Sequence, residues 1–498
     1  MQRSNPPDRA TTKPGFPHEN WGAGLAGGSE PDAAATLCRT ERRIAGRQRP
    51  RTEAELQALL ATARRDHQQI YPISCGRNWG LGSHVPSTEG AMIIELSEWK
   101  KIGPLDRSTL SVRIEPGVTP GLLHAWLQEH APDLTFNVTG SGTTTSVMGC
   151  ALERGLGYTG ATDRSIFGLE IMLADGRVFR PDPDWFHPAR DHAAGPAHDA
   201  LFFQSNYGIV LAARLRLRVR QEKEQAVIMN GPLPEMLAAL VECYRTGLLT
   251  LPTHIAEPGR TGRLAANRLR QVRGRAVTAS EVAKVFPESG HHVGLAALHG
   301  RASVVNACWR ELRGTLTGGL TAWRIGATGA RRLEKLARTL GLRNHADRLA
   351  AFLPLLGLTW GVPTDAGLQA LDLPDGVTDP DQALTGAIYG NAVCAPTYAA
   401  TSEIAGIVSA AWADSACTYI VMNAHCLVTV YTLHFTNAQT DGVKAAEQAI
   451  ARQLRAAGHP PYRLGINLAG PGNGGLHQLI KSALDPAGIV AAGRYEAR

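Results

Sequence analysis

The chain has 498 residues, of which 44% are hydrophobic and 19% charged, a balance typical of a globular protein with room for two or more domains. Its 51 basic and 44 acidic residues leave a formal charge of +7, which is too modest a bias to indicate a polyanion-binding protein. The eight cysteines lack CxxC spacing and have mostly apolar neighbours, so we expect buried reduced thiols rather than a zinc site or an iron–sulfur cluster.

The ends and the hydropathy of the chain give a second set of expectations. The first 20 residues contain no apolar signal region, and no run of 18 apolar residues occurs anywhere. We therefore expect a cytoplasmic protein that does not span a membrane. Residues 1–40, rich in Pro, Gly and Ala, are expected to form a partly ordered lead-in.

The first predicted domain covers residues 41–221 and begins with a helix. Thr52 and Glu55 have the spacing of a capping box, and the apolar residues that follow share one helical face. A short predicted strand, QQIYPIS, then leads into a glycine-rich loop over residues 72–83, PISCGRNWGLGS. The buried face of the helix is predicted to consist of Leu56, Leu59, Leu60 and Ala63.

Further strands are predicted at 91–96 and 110–116, and Pro120 is expected in the first turn of a second helix. The apolar face of this helix is predicted to consist of Leu122, Leu123, Trp126 and Leu127. Later in the domain, LEIMLADGRVFRP at 169–181 predicts a β-hairpin that turns at Asp175–Gly176.

A second glycine-rich stretch, TGSGTTTSVMGCALERGLGYT at 139–159, is the most informative part of the sequence. Five glycines in 21 residues permit positive φ angles and a close approach of the backbone to a ligand. The neighbouring hydroxyl groups can satisfy buried polar atoms of that ligand. Two such loops in one α/β region favour a large polar cofactor bound against backbone N–H groups, although either loop alone could simply turn the chain.

The composition changes near residue 221, where we place a domain boundary. A second α+β domain is predicted over 222–460. It contains helical patterns in EMLAALVECYRTGLL, ARRLEKLARTLGL and DGVKAAEQAIARQLRAAG, and a strand-rich run in YIVMNAHCLVTVYTLHFT. Six arginines between Arg260 and Arg275 could attract an anionic substrate, a carrier-bound substrate or nucleic acid, but a solvated helix face or surface loop is the commoner role of such a cluster.

Taken together and in this order, several motifs resemble the FAD domain of the vanillyl-alcohol oxidase and p-cresol methylhydroxylase (PCMH) family. They are GRNWGLGS, EPGV at 115–118, SVMGCALERGLGYT, QSNYGIV at 204–210 and ALDPAGIVAAGRY at 483–495. The resemblance implies an α+β protein with a two-part PCMH-type FAD-binding domain. Residues 222–460 would be its cap, or substrate, domain, and residues 461–498 would return to the FAD domain.

The resemblance also implies which residues bind FAD. The first loop would bind the phosphates, and the second loop together with Gly208–Val210 would contact the ring system and the adenosine side. Glu153 and Arg154 are expected to form an ion pair that fixes the loop, and Asp163 is expected to be structural. The implied FAD-binding residues are Ser74, Gly76, Arg77, Asn78, Trp79, Gly80, Leu81, Gly82, Ser83, Gly140, Ser141, Gly142, Thr145, Ser146, Gly149, Glu153, Arg154, Gly155, Gly157, Tyr158, Gly208, Ile209, Val210 and Arg494.

Flavins of this family are often covalently linked, but here the expected linking positions carry other side chains. The cap position of the linking histidine corresponds to Asn391, and the corresponding place in the first loop is occupied by Asn78 or Trp79. We therefore expect non-covalent FAD, with a cap tyrosine or His84 as the alternative tether.

The catalytic positions of the family are only partly matched. Tyr462 and Arg463 match a tyrosine–arginine pair that holds a phenolate, so a phenolic substrate predicts that Tyr462→Phe and Arg463→Ala each lose most turnover. The other tyrosine position is Leu81 here, and the acidic position is Ser141, which cannot replace a carboxylate base. His425 is the substitute base that the sequence offers.

These residues predict an FAD-dependent oxidoreductase that abstracts hydride from an activated C–H of a benzylic compound, an alcohol or an amine. The substrate would be a small aromatic or specialised metabolite, and the electrons would pass to O2 or a carrier. The alternative is a flavin-binding protein of the same fold with a non-redox catalytic or binding role. We expect a small-molecule substrate and no nucleic-acid or membrane partner, and the resemblance makes a homodimer the expected assembly.

Overall fold

The computed structural model describes residues 36–181, 196–374, 376–470 and 475–496. Most of the expected lead-in therefore lies outside the described residues. Its last residues are well packed, since Thr36 and Leu37 are fully buried and the Leu37 N–H donates to Asp381 Oδ1 at 2.8 Å. The described chain forms two α+β parts, and its final segment returns to the first part.

Among the described residues, the first part contains two main sheets, two small two-stranded sheets and three α-helices. Its strands are β1 (Ile44–Gln48), β2 (Ile70–Ile73), β3 (Ala91–Glu95), β4 (Ile102–Asp106), β5 (Ser111–Ile114), β6 (Leu134–Thr135), β7 (Leu156–Gly157), β8 (Gly160–Ala161), β9 (Ile166–Met172), β10 (Val178–Phe179), β11 (Ile209–Arg216) and β12 (Arg218–Val219). Its helices are α1 (Glu53–Arg65), α2 (Pro120–His130) and α3 (Val147–Leu152). A parallel sheet has the order β1-β3-β2, and a larger antiparallel sheet has the order β10-β9-β11-β5-β4. The two small sheets are β12-β6 and β7-β8.

Local sequence signals explain the first helix. The side chain of Thr52 accepts a hydrogen bond from the Glu55 N–H at 3.2 Å and thereby caps α1, as predicted. The carboxylate of Glu55 binds the N–H of Arg51 rather than that of Thr52, so the reciprocal half of the expected capping box is displaced by one residue. All four predicted apolar positions of α1 are buried and pack against the parallel sheet.

The second helix and the hairpin predicted for this part are also present in the structure. Thr119 caps α2, and Pro120 lies in its first turn. Leu123 and Leu127 are buried, but Leu122 is 41% exposed, so the buried face of α2 is narrower than the sequence predicted. The predicted hairpin is formed by β9 and β10, with Gly176 at a φ of +85° in the turn.

The second part is built on one seven-stranded antiparallel sheet with the order β16-β13-β15-β14-β18-β19-β17. Its strands are β13 (Lys223–Gly231), β14 (Thr253–Ala256), β15 (His292–Gly300), β16 (Thr321–Ile325), β17 (Gly386–Cys394), β18 (Ser415–Val421) and β19 (Leu427–Phe435). The helices of this part are α4 (Leu233–Arg245), α5 (Pro258–Arg273), α6 (Ala279–Val285), α7 (Ala302–Thr315), α8 (Ala327–Thr339), α9 (Arg343–Gly357), α10 (Tyr398–Ala411) and α11 (Thr440–Ala456).

The pleat of this sheet divides its residues between two environments. Along a strand, successive side chains point to opposite faces. One face packs with α4, α7, α10 and α11 into a large apolar core. The other face is turned toward the first part and contributes to a cavity that α5 and α9 help to line.

The end of the described chain packs against the first part. The last helix is α12 (Leu476–Leu484). Its buried Lys481 donates to Asp485 Oδ2 at 2.7 Å and to the carbonyl oxygens of Asn206 and Val490, both at 2.6 Å. Val490 forms a β-bridge with Ile70 of β2. These bonds fix the final segment to the parallel sheet.

Two further expectations can be compared with the fold. All eight cysteines lie within the described residues, are free, and are buried or half-buried, as predicted. Among the described helices none combines the length and the apolar character that crossing a bilayer requires.

Candidate active site

A cavity of about 570 Å³ lies between the two glycine-rich loops of the first part and the inner face of the cap sheet. This volume is within the usual range of cofactor and ligand pockets, about 300–1,000 Å³. The two loops predicted from sequence to meet a ligand therefore border the same space.

The first loop has the conformation of an anion-binding nest. It follows β2 directly, and Gly76 and Gly80 take left-handed φ angles of +65° and +71°. The carbonyl of Asn78 accepts hydrogen bonds from the N–H groups of Leu81 and Ser83, each at 3.0 Å, which closes a tight turn. Alternation of backbone handedness of this kind turns successive N–H groups toward one point, where an anion can bind.

The second loop is fixed from several directions. Its Thr143 hydroxyl and N–H both donate to Asp365 of the cap, the N–H at 2.7 Å. Arg77 of the first loop donates to the Thr144 carbonyl at 3.1 Å, which ties the two loops together. Ser146 caps the short helix α3 and donates to the Pro116 carbonyl at 2.6 Å. The hydroxyl groups of Thr143 and Ser146 therefore fix the backbone of the loop through their own hydrogen bonds.

A buried ionic cluster joins the second loop to the end of the chain. Glu153 accepts hydrogen bonds from Arg494 at 3.1 Å and from the Tyr495 hydroxyl. Burial alone would raise the pKa of Glu153, but the charges of Arg494 and Arg463 outweigh it, so its pKa lies below the ordinary value. Arg154 pairs instead with Asp163 at 3.7 Å. The predicted Glu153–Arg154 ion pair is wrong, because adjacent residues at this turn point to different partners.

The cap side of the cavity is a row of alternate residues from the seven strands. Toward one edge, Trp323, Ile228 and Leu295 pair across β16, β13 and β15. The first polar residue of the row is His254 of β14, which lies opposite Leu295. Along β18, β19 and β17 the lining is mixed: Ile420, which pairs with His254, and Val430 are apolar. The polar lining residues of these strands are Thr418, Thr432, Tyr389 and Asn391. The cavity therefore has an apolar end and an end that contains the polar residues of the cap sheet, the polar end.

Four side chains converge at the polar end. The rings of Tyr158 and His254 stack with centroids 4.0 Å apart, and His254 Nε2 lies 3.5 Å from the Gly157 carbonyl. Arg260, in the first turn of α5, lies near the Tyr389 phenol, and its charge works against the rise that burial causes in the pKa of that phenol. Burial lowers the pKa of His254 to about 4 and raises that of Tyr158 to about 12. At neutral pH the histidine and the tyrosine are therefore uncharged.

The cavity wall also contains buried donors that the described residues do not satisfy. Trp79 Nε1 and Arg463 Nε are both buried without a hydrogen-bond partner among the described residues. A Cβ built on Gly140 would meet no atom within 4 Å, so the backbone there borders open space. Unsatisfied donors, a nest and an open backbone edge are what a large polar cofactor such as FAD requires. The residues present fit that cofactor.

Comparison with known proteins agrees with this fit. The family described as FAD binding domain matches residues 45–181. Over 32% of each chain, the sequence is 30% identical to the 4-cresol dehydrogenase (hydroxylating) flavoprotein subunit of Pseudomonas putida. The chain contains a PCMH-type FAD-binding domain.

Two further similarities extend over almost the whole chain. The 1'-carboxy-chondrochloren decarboxylase of Chondromyces crocatus is 27% identical over 90% of this chain and 90% of its own. The structure of 4-ethylphenol oxidase from Gulosibacter chungangensis, in complex with isoeugenol, superposes with a TM-score of 0.78 at 19% identity. It covers 94% of this chain and 92% of that chain, so the two share the α+β fold that the sequence predicted. The FAD-binding domain makes FAD the cofactor.

Most residues predicted to bind FAD line the cavity. Those that do are Ser74, Gly76, Arg77, Asn78, Trp79, Leu81, Ser83, Gly140, Ser141, Thr145, Ser146, Gly149, Glu153, Gly155, Tyr158, Gly208, Ile209, Val210 and Arg494. Those that do not are Gly80, Gly82, Gly142, Arg154 and Gly157. In this second group Gly80 and Gly82 have roles in packing, because a Cβ on either would collide with Tyr389 or Ile466 of neighbouring segments.

The three predicted catalytic residues lie in different places. Arg463 lines the cavity and donates to Asn78 Oδ1 of the FAD loop at 2.7 Å. Tyr462 is adjacent in sequence but does not line the cavity, and burial raises the pKa of its phenol to about 12. The expected tyrosine–arginine pair on the substrate is therefore not formed by these two side chains.

His425 is a clear correction. The sequence placed it in a strand facing the pocket, but it is exposed in the turn between β18 and β19, where its N–H donates to Asn423 Oδ1 at 2.8 Å. That side-chain carbonyl also accepts from the N–H of Cys426, so the NAHC sequence makes a turn rather than continuing the strand.

The histidine on the cavity, His254, was missed. It sits in THIA, a four-residue strand with little periodicity of its own, and only pairing with β15 and β18 shows which face it occupies. Arg260 was noticed as part of an arginine cluster but was given no site. The signal that could have distinguished it is its position in the first turn of α5, directly after that strand.

The cap residue at the expected linking position forms a hydrogen bond. Asn391 lines the cavity, and its Oδ1 accepts from the Arg463 N–H at 2.6 Å. Its carboxamide fixes the segment that carries Arg463. His84, the alternative tether from the first loop, does not line the cavity. The non-covalent state of FAD stays a prediction.

Proposed function

We propose that this protein oxidises a small, largely apolar substrate by removing hydride from an activated C–H. The observation that carries the proposal is the single cavity in which the FAD loops face the inner side of the cap sheet. A substrate held there would lie against the cofactor and away from bulk water. Bound FAD supplies the hydride acceptor, and the reduced cofactor passes its electrons to O2 or a carrier.

The chain's own residues bind and orient this substrate. The apolar end, with Ile228, Leu295 and Phe352, would hold an aromatic or alkyl body and exclude water. His254, which is neutral at working pH, would exchange a hydrogen bond with a polar group next to the reacting carbon. Arg463 would keep the FAD loop in register through Asn78.

A second reaction on the same site is favoured by one comparison. The relative that matches 90% of this chain is named a decarboxylase of a 1'-carboxy compound. In an oxidative decarboxylation, hydride leaves the carbon next to the one that bears the carboxylate. The bond between the neighbouring carbon and the carboxylate breaks, its electron pair forms the new C=C bond, and CO2 is released. This reaction uses the same hydride acceptor and needs no further oxidant.

The test is anaerobic mixing of the purified holoenzyme with benzylic alcohols, arylalkyl amines, 4-alkylphenols and arylalkyl carboxylic acids. Bleaching of the visible flavin absorbance by at least one class is expected, and CO2 measured in the same mixtures separates decarboxylation from simple oxidation. If dithionite bleaches the flavin but no compound class does, the redox proposal is contradicted and the non-redox alternative is supported.

A matched pair of histidine variants localises the chemistry. His254→Gln should slow flavin reduction by about 10²-fold, in the range of a lost hydrogen-bonding group in an active site. His425→Gln, in the exposed turn, should leave the rate unchanged. Equal rates for the two variants would show that the polar end of the cavity does not contact the reacting substrate.

A further inference from the structure

The polar end of the cavity contains a cation that no described carboxylate neutralises. Arg260 lines the cavity, and among the described residues it forms no ion pair. Other arginines of α5 are paired: Arg263 binds Asp372 at 3.3 Å and Asp414 at 2.8 Å. Three of the six arginines singled out from sequence, Arg263, Arg273 and Arg275, therefore form salt bridges among the described residues, whereas Arg260 faces a ligand space.

The groups around Arg260 are neutral. The Tyr389 phenol and the stacked rings of Tyr158 and His254 all lie near enough to feel its charge. Of the described residues that line the cavity, Glu153 is the one that has a carboxylate, and it is held by Arg494 and Tyr495. A cation with neutral donors and no counter-charge makes a binding site for one monoanionic group.

The chemistry of this cluster distinguishes a carboxylate from a phenol. A carboxylic acid is already ionised at neutral pH, whereas a phenol, with a pKa near 10, would have to lose its proton on binding. The base available in the cluster is His254, and burial lowers its pKa to about 4, too low to take that proton. The planar guanidinium also matches the two oxygens of a carboxylate, which it can bind through two parallel hydrogen bonds.

We propose that Arg260, with the hydroxyls of Tyr158 and Tyr389, binds the carboxylate of an arylalkyl acid whose apolar body occupies the other end of the cavity. This assignment rests on the proposed function, since it names the substrate class of the same site. It gives Arg260 a role in specificity and requires no covalent step. Acids that have a carboxylate at one end and a ring at the other would match the two ends of the cavity.

The experiment is isothermal titration calorimetry of the FAD-loaded protein with 3-phenylpropanoic acid, its neutral amide and 4-ethylphenol. The acid should bind the wild-type protein at least about tenfold more tightly than the amide, since an ionised partner strengthens the hydrogen bonds. Arg260→Gln should weaken binding of the acid by about ten- to a hundredfold and leave the amide nearly unchanged. Arg260→Lys, which keeps the charge but loses the paired geometry, should retain part of the affinity.

Arg263→Gln is the matched control, because it removes an arginine from the same helix outside the cavity and should bind the acid as the wild type does. Equal losses for acid and amide in Arg260→Gln, or no loss for the acid, would overturn the proposal. Tighter binding of 4-ethylphenol than of the acid would overturn it in favour of a phenolate site. If Arg260→Gln does not fold, the wild-type comparison decides, since equal affinity for acid and amide is incompatible with a carboxylate site.

Calorimetry measures binding without turnover, so it separates this proposal from the reaction itself. Selective binding of the acid without flavin reduction by any compound would support the carboxylate site and contradict the proposed oxidation. Flavin reduction by alcohols or amines without selective acid binding would do the reverse.

Discussion

Gly80 is the residue at which the FAD loop and the cap sheet approach most closely. Its carbonyl accepts a hydrogen bond from the Tyr389 N–H at 2.8 Å, and its φ is +71°. A Cβ built there would lie 2.4 Å from Tyr389 Cδ2, a distance that real side chains do not allow. Glycine at this position therefore serves both the turn of the loop and the position of a cavity-lining tyrosine.

Replacing Gly80 with alanine should lower both stability and FAD content. The left-handed backbone alone costs about 1–2 kcal/mol for a residue with a Cβ, and the collision with Tyr389 adds to it. Gly90→Ala is the matched control, because Gly90 has a φ of +74° but no atom within 4 Å of its Cβ position. Melting temperature and bound FAD per chain measure the effect.

Gly90→Ala should melt slightly below the wild type and keep its full FAD content. Gly80→Ala should melt lower still and lose part of its FAD. Equal behaviour of the two variants would mean that contact between the loop and Tyr389 has no part in holding the site together.

For individual residues, roles that depend on the local backbone could be predicted from the sequence better than roles that depend on tertiary neighbours. Most residues that the glycine-rich motifs predicted for the site line the cavity, because backbone N–H groups and φ angles are properties of a short segment. The histidine that faces the cavity could not be predicted in this way. His425 and His254 both lie in or next to apolar strand-like sequence, and the face that each occupies depends on a turn at Asn423 and on pairing across β15, β14 and β18.

Among the elements, α11 contains a buried carboxylate with a strong pH dependence. Glu447 is 2% exposed and accepts a hydrogen bond from Asn467 Nδ2 at 3.2 Å. Burial raises its pKa from the ordinary 4.5 to about 7, although the bond from Asn467 works in the opposite direction. The folded protein therefore holds a proton on Glu447 over a pH range in which the unfolded chain has released it.

Glu447→Gln should stabilise the protein at alkaline pH. Below the unfolded pKa of about 4.5, Glu447 is neutral in both states and its burial costs the folded state no ionisation energy. As the pH rises from there to the folded pKa of about 7, the unfolded state is favoured increasingly, because only its carboxyl ionises freely, and the folded protein loses stability. The glutamine variant avoids that cost, which is at most about 3 kcal/mol at 1.36 kcal/mol per pH unit. Its melting temperature should exceed that of the wild type at about pH 8, and the difference should vanish as the pH falls to about 4, below the unfolded pKa.

Glu242→Gln provides the control, because Glu242 is exposed on α4. It should melt like the wild type at both pH values. A Glu447→Gln variant that is less stable than the wild type at alkaline pH would show that the charged carboxylate is stabilising, contrary to the role given to its burial.

The elements themselves were largely predictable from the sequence. The caps of α1 and α2, the hairpin of β9 and β10, and the end of α11 before Gly458 depend on neighbouring residues, and all were found where predicted. The order of the seven-stranded sheet was not predictable, because it depends on pairing between strands that are far apart in sequence, such as β14 with β18. The strand order decides which side chains lie side by side on the cavity wall. The cap half of the site could therefore be recognised only in the structure.

For the whole molecule, the central feature is that three segments of the chain meet around one cavity. The loops of the FAD-binding domain supply one wall, the cap sheet supplies the other, and the final segment closes the site through Arg494 and Glu153. The segments that meet here are far apart in the sequence. Binding of FAD should therefore stabilise the FAD-binding domain, the cap and the C-terminal segment together.

The most direct test of this account is a visible absorption spectrum of the purified protein, repeated on the supernatant after acid precipitation. We expect a flavin spectrum in the native protein and release of the yellow colour into the supernatant, in agreement with non-covalent FAD and the carboxamide of Asn391. Colour that stays in the pellet would contradict the non-covalent prediction. A colourless protein that takes up no FAD when FAD is added would contradict the central claim that this cavity is a flavin site.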